Sequence, residues 1–369
     1  MRAADVDIAI LGGGCAGLSL AARLARTRLS VRVIEPRTHY TNDRTWSFWR
    51  TASDPFEDCV RAEWRAWSVF GPHGETRRQS QRLRYQTLNA QSFYQRALAM
   101  IDDHSTSAIS LGVKANDVHR ANGKWYVATD AGAFSARTLV DTRPAKQAPR
   151  YGQFFVGREI RTSRPVFDPA VVHLMTFRPS HDGGVNFVYI LPFANDQALV
   201  EVTTFAARPP ARDSLTRWLE HEIASLEPGD VETLRKEAGI LPMQVGFGNE
   251  ASDGVIRLGL GGGASRPSTG YAFARIQAQA DRVVAALERG ESPNTRLDGR
   301  MTRFMDRVFL RVLATAPERA PALFECLFRG AREDRLEHFL SGSTRAADRL
   351  SVMTSLPPLP FLRAAATQL

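Results

Sequence analysis

The chain has only three cysteines in 369 residues, Cys15, Cys59 and Cys326, with no C-x-x-C pair. That argues against a disulfide framework or a zinc site and fits a reducing compartment; no metal is expected. There is no run of about 18 apolar residues, so no membrane-spanning helix is expected. The first strand begins by Asp7, which leaves no room for a signal peptide, and the expected location is cytoplasmic. Lysine is almost missing. It occurs only at Lys114, Lys124, Lys146 and Lys236, so arginine carries the net charge of +9. No nucleic-acid-binding motif accompanies that charge, and nucleic acid is not an expected partner. The charge suits peripheral contact with an anionic membrane on its inner face, the alternative being a merely basic surface.

What the chain does have is the composition of a globular protein, 43% hydrophobic and 24% charged residues, over a length that fits two or three domains or one with a large insertion. Its organising stretch is Asp7-Ile8-Ala9-Ile10-Leu11-Gly12-Gly13-Gly14-Cys15-Ala16-Gly17. An apolar strand runs into glycines at G-x-G-x-x-G spacing, Gly12, Gly14 and Gly17, and then into an amphipathic helix. The first glycine allows the tight turn, the second lets a pyrophosphate approach the backbone, and the third lets helix and strand pack closely. The helix start offers free N–H groups to phosphate, from Cys15 and Ala16 onward. A second strand, Val31–Ile34, ends at Glu35, which suits ribose hydroxyls. Cys15 reads as a small residue that fits the turn. The stretch binds a dinucleotide, without choosing between FAD and NAD.

Next comes Asn42-Asp43-Arg44-Thr45-Trp46-Ser47-Phe48-Trp49, unusually aromatic for a loop. It reads either as an aromatic staple or as a cofactor-proximal loop, with Arg44 near the cofactor and the aromatics lining an apolar cavity that Trp64 and Trp67 extend. A helix is expected over Gln91–Met100, with strands at Ile109–Val113, Trp125–Thr129 and Ala133–Val140. Asp141, at the end of the last strand, is where a second segment could return to the nucleotide. Strands Phe154–Gly157, Val171–Phe177, Val185–Leu191 and Gln197–Phe205 predict an antiparallel sheet, and Asp213–Leu226 a helix capped by Asp213. Glu201 stands among Leu199, Val200 and Val202. Facing inward, burial would raise its pKa toward acid–base use; facing outward, it is an ordinary strand glutamate. Pattern leaves both faces open. A further strand, Val255–Leu260, leads into Gly261-Gly262-Gly263 and Pro267-Ser268-Thr269-Gly270-Tyr271 before another helix. This second strand–glycine–helix unit tips the cofactor to FAD. The tail, 296–369, is helical and basic, with Leu356–Phe361 extended. It reads as a helical cap or as a membrane-facing lid.

Together Gly12–Gly17, Asn42–Trp46, Phe155-Val156-Gly157, Pro165–Pro169, Phe187–Phe193, Leu199-Val200-Glu201, Ile240–Met243, Pro267–Tyr271 and Leu359–Leu362 resemble the flavin-dependent lycopene cyclases, the bacterial β-cyclases in particular. The resemblance implies a fold like the p-hydroxybenzoate hydroxylase and geranylgeranyl reductase flavoproteins. That is an α/β fold: a Rossmann-type FAD domain (1–150 and 245–295), an inserted antiparallel-sheet substrate domain (151–244) and a helical C-terminal cap (296–369). It implies an acid-catalysed, non-redox closure of the psi ends of lycopene or a related linear carotenoid to β-ionone rings. Reduced FAD is required, with NAD(P)H as reductant. Glu201 matches the first Glu of the family's Phe-Leu-Glu-Glu-Thr motif and is the implied acid. Gly12, Gly14, Cys15, Ala16, Gly17, Glu35, Arg44, Thr45, Trp46, Asp141, Gly262, Thr269 and Gly270 are the expected cofactor contacts. Trp49, Phe187, Tyr189 and Tyr271 are the expected substrate-tunnel wall. Three positions depart from the family: Val202 stands at the second acidic position of the motif, Thr176 at a usual Asp, and Ser47 at a usual Cys. The rival readings are a redox enzyme of the same fold, an isoprenoid reductase or monooxygenase, and a relative that binds without catalysis.

Overall fold

The opening strand Val6–Leu11 is apolar on both sides, and it lies in the middle of a seven-stranded sheet, where both faces are covered. The computed structural model describes residues 5–103, 106–145, 147–180, 183–247, 254–332 and 334–366; Lys146 and residues 248–253 of the expected cofactor segment lie outside them. The sheet runs Ser107–Leu111, Val31–Glu35, Val6–Leu11, Gly132–Asp141, Lys124–Thr129, Ala115–Ala121, with Ile256–Arg257 also paired to Gly132–Asp141. The first four strands are parallel, as the crossover helices require, and the last two turn back antiparallel. Helices Cys15–Leu24, Ala90–Asp102 and Phe273–Glu288 bury Leu18, Phe93 and Ile276 against one face. This is the expected nucleotide-binding architecture.

A second seven-stranded sheet has the order Val231–Pro242, Gly152–Thr162, Gln197–Ala206, Val185–Pro192, Val171–Arg178, Ala66–Gly71, Gly74–Gln79. All its pairings are antiparallel except Val171–Arg178 with Ala66–Gly71. Two of its strands therefore come from before residue 150. A small third sheet, Thr45–Trp49, Tyr85–Asn89 and Val60–Trp64, joins the two large ones. Period-two alternation divides the second sheet into two cores. Val188, Ile190, Val200 and Val202 pack against helix Arg212–Ala224, whereas Phe187, Leu191, Leu199 and Phe205 pack against the tryptophans of the first hundred residues and the C-terminal helices.

Several local expectations are corrected. The aromatic stretch after Arg44 is the strand Thr45–Trp49, paired across to Tyr85–Asn89, and not a loop. Val255–Leu260 yields only the short strand Ile256–Arg257 before a 3-10 turn at Leu260–Gly262. Helix Arg212–Ala224 has Ala211 at its N-cap, with Asp213 inside the first turn, where its charge still meets the positive end of the helix dipole. The extended reading of Leu356–Phe361 fails, because Pro358 opens the helix Pro358–Ala366. A proline costs nothing in a first turn, where its missing N–H has no helical partner.

Candidate active site

The glycine turn is built as its spacing requires. Gly12 has φ +95°, a conformation that only glycine adopts without strain. A Cβ on Gly17 would lie 1.9 Å from the Gly12 carbonyl oxygen, so helix and strand meet backbone to backbone. A Cβ on Gly14 would meet only Arg37, at 3.9 Å, which leaves that backbone approachable. Gly14 is also the N-cap of helix Cys15–Leu24 and makes no side-chain cap bond. Glu35 is buried beside the turn. Its Oε2 accepts from the Gly13 N–H at 2.6 Å and its Oε1 from Arg37 Nε at 2.8 Å. Burial opposes its charge, but the Arg37 guanidinium and these N–H donors hold its carboxyl below the usual range. Asp141 accepts from Arg143, and Arg257 stands 3.6 Å away. Cys15 is half-buried and its thiol is pushed far up, chiefly by desolvation, so it is inert at neutral pH.

The loop residues divide. Arg44 is exposed beside Asp43. Trp46 packs on Phe93, Tyr94 and Phe273, stapling the strand to two helices. Thr45 points to the second sheet, where its hydroxyl donates to Glu237 Oε2 at 2.8 Å and accepts from Arg235 Nη2 at 2.6 Å. In the late glycine segment a Cβ on Gly262 would collide with the Arg257 carbonyl oxygen at 2.4 Å, and Thr269 and Gly270 form a turn closed onto the Arg266 carbonyl. Gly270 has φ +76°, and a Cβ there would meet Gln153 of the second sheet at 2.6 Å. The turn thus lies directly on the sheet that carries Glu201.

Glu201 faces inward. It stands opposite Tyr189 on one side and Gly157 on the other, on the face shared with Leu199 and Phe205. Its Oε1 accepts from the Thr203 hydroxyl at 2.9 Å. Desolvation, and then the charge of Glu237, push its carboxyl well above the glutamate range, which favours the protonated carboxylic acid. Tyr189 shares a 3.0 Å hydrogen bond with Tyr85. Tyr85 lies edge-on to Trp49 and Tyr271, with Trp49 and Tyr271 5.4 Å apart. Burial raises all three phenols, so they stay neutral. Trp49, Phe187, Tyr189 and Tyr271 thus share one aromatic wall with Glu201, and Trp64 and Trp67 extend it. The buried Trp49 Nε1 makes no hydrogen bond. The wall also contains residues the sequence reading missed: Tyr85, Arg235 and Glu237. For Arg235 and Glu237 the signal was the alternation Arg235, Glu237, Gly239 along an unassigned strand; Tyr85 opens the strand Tyr85–Asn89 and carried no comparable signal.

The three departures from the family pattern fall differently. Val202 points to the opposite face and is fully buried against helix Arg212–Ala224. Thr176, paired with Val188, lines a cavity on that same far side with His173, Arg178 and Glu222. Ser47 lies in the small joining sheet, opposite Thr87.

Comparison with known proteins agrees with this geometry. The chain is 27% identical to a lycopene beta-cyclase from a Paracoccus strain, over 96% of this chain and 95% of the relative. It is 26% identical to one from Pseudescherichia vulneris over 96% and 95%. In fold it is similar to a geranylgeranyl bacteriochlorophyll reductase-like protein from Thermoplasma acidophilum, with a TM-score of 0.63 at 14% identity, covering 98% of this chain and 96% of that one. An aklavinone-11 hydroxylase solved with FAD and aklavinone is similar at a TM-score of 0.58 and 15% identity, over 94% of this chain and 72% of that one. The lycopene cyclase protein family matches residues 7–366, and the chain belongs to that family.

Proposed function

We propose that this protein is a lycopene β-cyclase that closes the psi ends of a linear carotenoid by protonation, using Glu201 as the acid. The observation that carries the reading is a buried carboxylic acid at the position of the family's acidic motif, set in an aromatic wall of neutral phenols. Protonating a terminal C1=C2 double bond requires an acid that still holds its proton at neutral pH and a surround that offers the cation no nucleophile. Desolvation supplies the first, and the rings of Trp49, Tyr85, Tyr189 and Tyr271 supply the second. Such rings also present a negative face to a passing cation. The cation then closes onto the neighbouring double bond, and transfer of a ring proton to the Glu201 carboxylate gives the β-ionone ring and restores the acid, with no net redox change.

The residues fit FAD as cofactor. Gly12, Gly14 and Gly17, the N–H groups of Cys15 and Ala16, and Glu35 would hold the dinucleotide, with Asp141, Gly262, Thr269 and Gly270 on the flavin side. Reduced, anionic FAD bound there supplies negative charge that stabilises a carbocation in a low-dielectric site. NAD(P)H is the proposed reductant. The proposed partition is a cofactor side, a substrate sheet and a C-terminal cap. The cap exposes Leu350, Met353, Leu359 and Leu362, an apolar surface suited to peripheral membrane contact, where an apolar substrate would enter. Among the described residues no helix is long and apolar enough to cross a membrane.

The test is expression in cells that accumulate lycopene, with separation of the pigments. Gamma- and beta-carotene are expected from the parent chain. Unchanged lycopene is expected from Glu201→Gln, with flavin still bound to the purified protein. Rings at the parental rate in Glu201→Gln would refute the mechanism, and unchanged lycopene with stoichiometric NADPH consumption by the parent would replace it with a redox reaction.

A further inference from the structure

We propose that Glu237 is the fixed anion that keeps Glu201 in its acid form, and that Arg235 and Thr45 position it. The proposal rests on the reading of Glu201 as the acid, and Glu237 acts through Glu201 as a positioning residue. Glu237 lies two strands away from Glu201, on the edge strand Val231–Pro242, with Gly157 between them in register with both. Because position 157 has no side chain, nothing of that strand stands between the two glutamates, whose side chains converge there with a Leu199 methyl. The point where a Cβ would sit is 3.3 Å from Glu201 Cβ and 3.4 Å from Glu237 Cγ.

Charge counting around that point gives the direction of the effect. From the edge strand come Arg235 and Glu237, joined at 2.6 Å. From the strand carrying Gly157 comes Glu159, which Arg61 binds at 2.8 Å and Arg235 at 3.5 Å. The neighbouring strand offers Tyr189, the joining sheet Thr45 and Tyr85, and the late turn Tyr271, all uncharged. Beyond Tyr271, Glu337 is taken up by Arg78. Among the described residues two guanidiniums, Arg61 and Arg235, therefore balance two carboxylates, Glu159 and Glu237, and no further cation faces Glu201. Ionising Glu201 would leave the buried set with an excess negative charge, so it holds its proton. Removing the charge of Glu237 would leave an excess positive charge, which an ionised Glu201 neutralises. Thr45 adds a consequence: the hydroxyl that fixes Glu237 belongs to the Asp-Arg-Thr-Trp segment, so one strand serves both the proposed cofactor side and the acid.

The experiment is an infrared pH titration of the carboxylic acid C=O band of Glu201 in the purified, flavin-loaded protein, with the band assigned by its absence in Glu201→Gln. In the parent the band persists at neutral pH. In Glu237→Gln it is expected to disappear at least one pH unit lower, and the high-pH limb of the cyclisation profile to move with it. Glu237→Asp, which keeps the charge, should restore most of the shift. Arg235→Gln removes a cation from the same set and is expected to move the titration upward, which keeps the proposal testable if Glu237→Gln does not fold. Titration at the parental pH in folded Glu237→Gln, or no upward move in Arg235→Gln, would overturn it. Because the band reports protonation and not turnover, this outcome is separate from failure of Glu201 as the acid, which ring formation by Glu201→Gln would reveal.

Discussion

Glu201→Gln should make the protein more stable at neutral pH while abolishing its activity. In the unfolded chain Glu201 titrates near the ordinary glutamate value of 4.5, whereas in the folded chain desolvation and the charge of Glu237 hold it well above. The native state therefore binds more protons than the unfolded state over the interval between the two values, and stability falls as pH rises through it. The contribution is fully present below the unfolded value and is lost as pH climbs toward the folded one. Each pH unit over which native Glu201 keeps its proton costs about 1.4 kcal/mol. With an unfolding entropy of about 2.1 cal/mol/K per residue over 369 residues, that is about 2 °C of melting temperature per pH unit. Glutamine has a similar shape, can still accept the Thr203 hydroxyl, and does not titrate. Thermal melts of parent and variant, both flavin-loaded, in steps of about one pH unit from about pH 5 to about pH 8 give the comparison. The variant's advantage should be small at the acid end and widen steadily toward neutrality. A constant difference between the two melting curves across that range would show that Glu201 does not hold a proton in the native state, and the acid assignment would fall.

Two further outcomes follow from the geometry. Val202→Glu, which restores the second acidic residue of the family motif, should leave ring formation no faster and lower stability by about 3 kcal/mol or more, because the new carboxylate enters the core against Leu215 and Leu219 without a partner; parental melting temperature with faster cyclisation would contradict the assigned face. Gly17→Ala places a methyl carbon 1.9 Å from the Gly12 carbonyl oxygen and should weaken flavin retention by about tenfold or more, the equivalent of at least 1.4 kcal/mol of strain; an unchanged ratio of flavin to protein absorbance would contradict the proposed seat of the dinucleotide.

The nucleotide side was legible because its signals are local. Strand, glycine spacing, helix and terminal Glu35 occur within one short stretch, and each glycine answers a backbone requirement that sequence spacing expresses directly. The proposed acid, Glu201, was legible only in part. The apolar neighbours of Glu201 marked it as unusual, but its face depends on which strands flank Gln197–Ala206, and that pairing is non-local. The edge strand Val231–Pro242 escaped notice because it has one open side and alternates with charged residues, so it does not look like a core strand. Its Arg235 and Glu237 become part of the site only through register with Glu159 and Gly157. Likewise the hairpin Ala66–Gln79 joins the second sheet through parallel pairing with Val171–Arg178, a contact between segments far apart in the chain.

Alternation along the strands decides which departures from the family pattern bear on the chemistry. Adjacent residues in a strand face opposite sides, so the second acidic position of the Phe-Leu-Glu-Glu-Thr motif cannot share the face of the first. Val202 accordingly packs on helix Arg212–Ala224, and Thr176 lies on that side too, so neither loss removes a group from the face of Glu201. A carboxylate that acts on Glu201 must come from another strand at the same register, and Glu237, two strands away, is the group proposed for that role. The arrangement also accounts for Gly157. Any side chain there would crowd Glu201, Leu199 and Glu237, and a charged one would upset the proposed balance around Glu201. A proposed acid for a hydrocarbon must keep its proton until substrate arrives, although each group that holds the proton also makes the acid weaker. Burial, a facing anion and cations already committed elsewhere together meet that condition, without requiring an acidic residue at position 202.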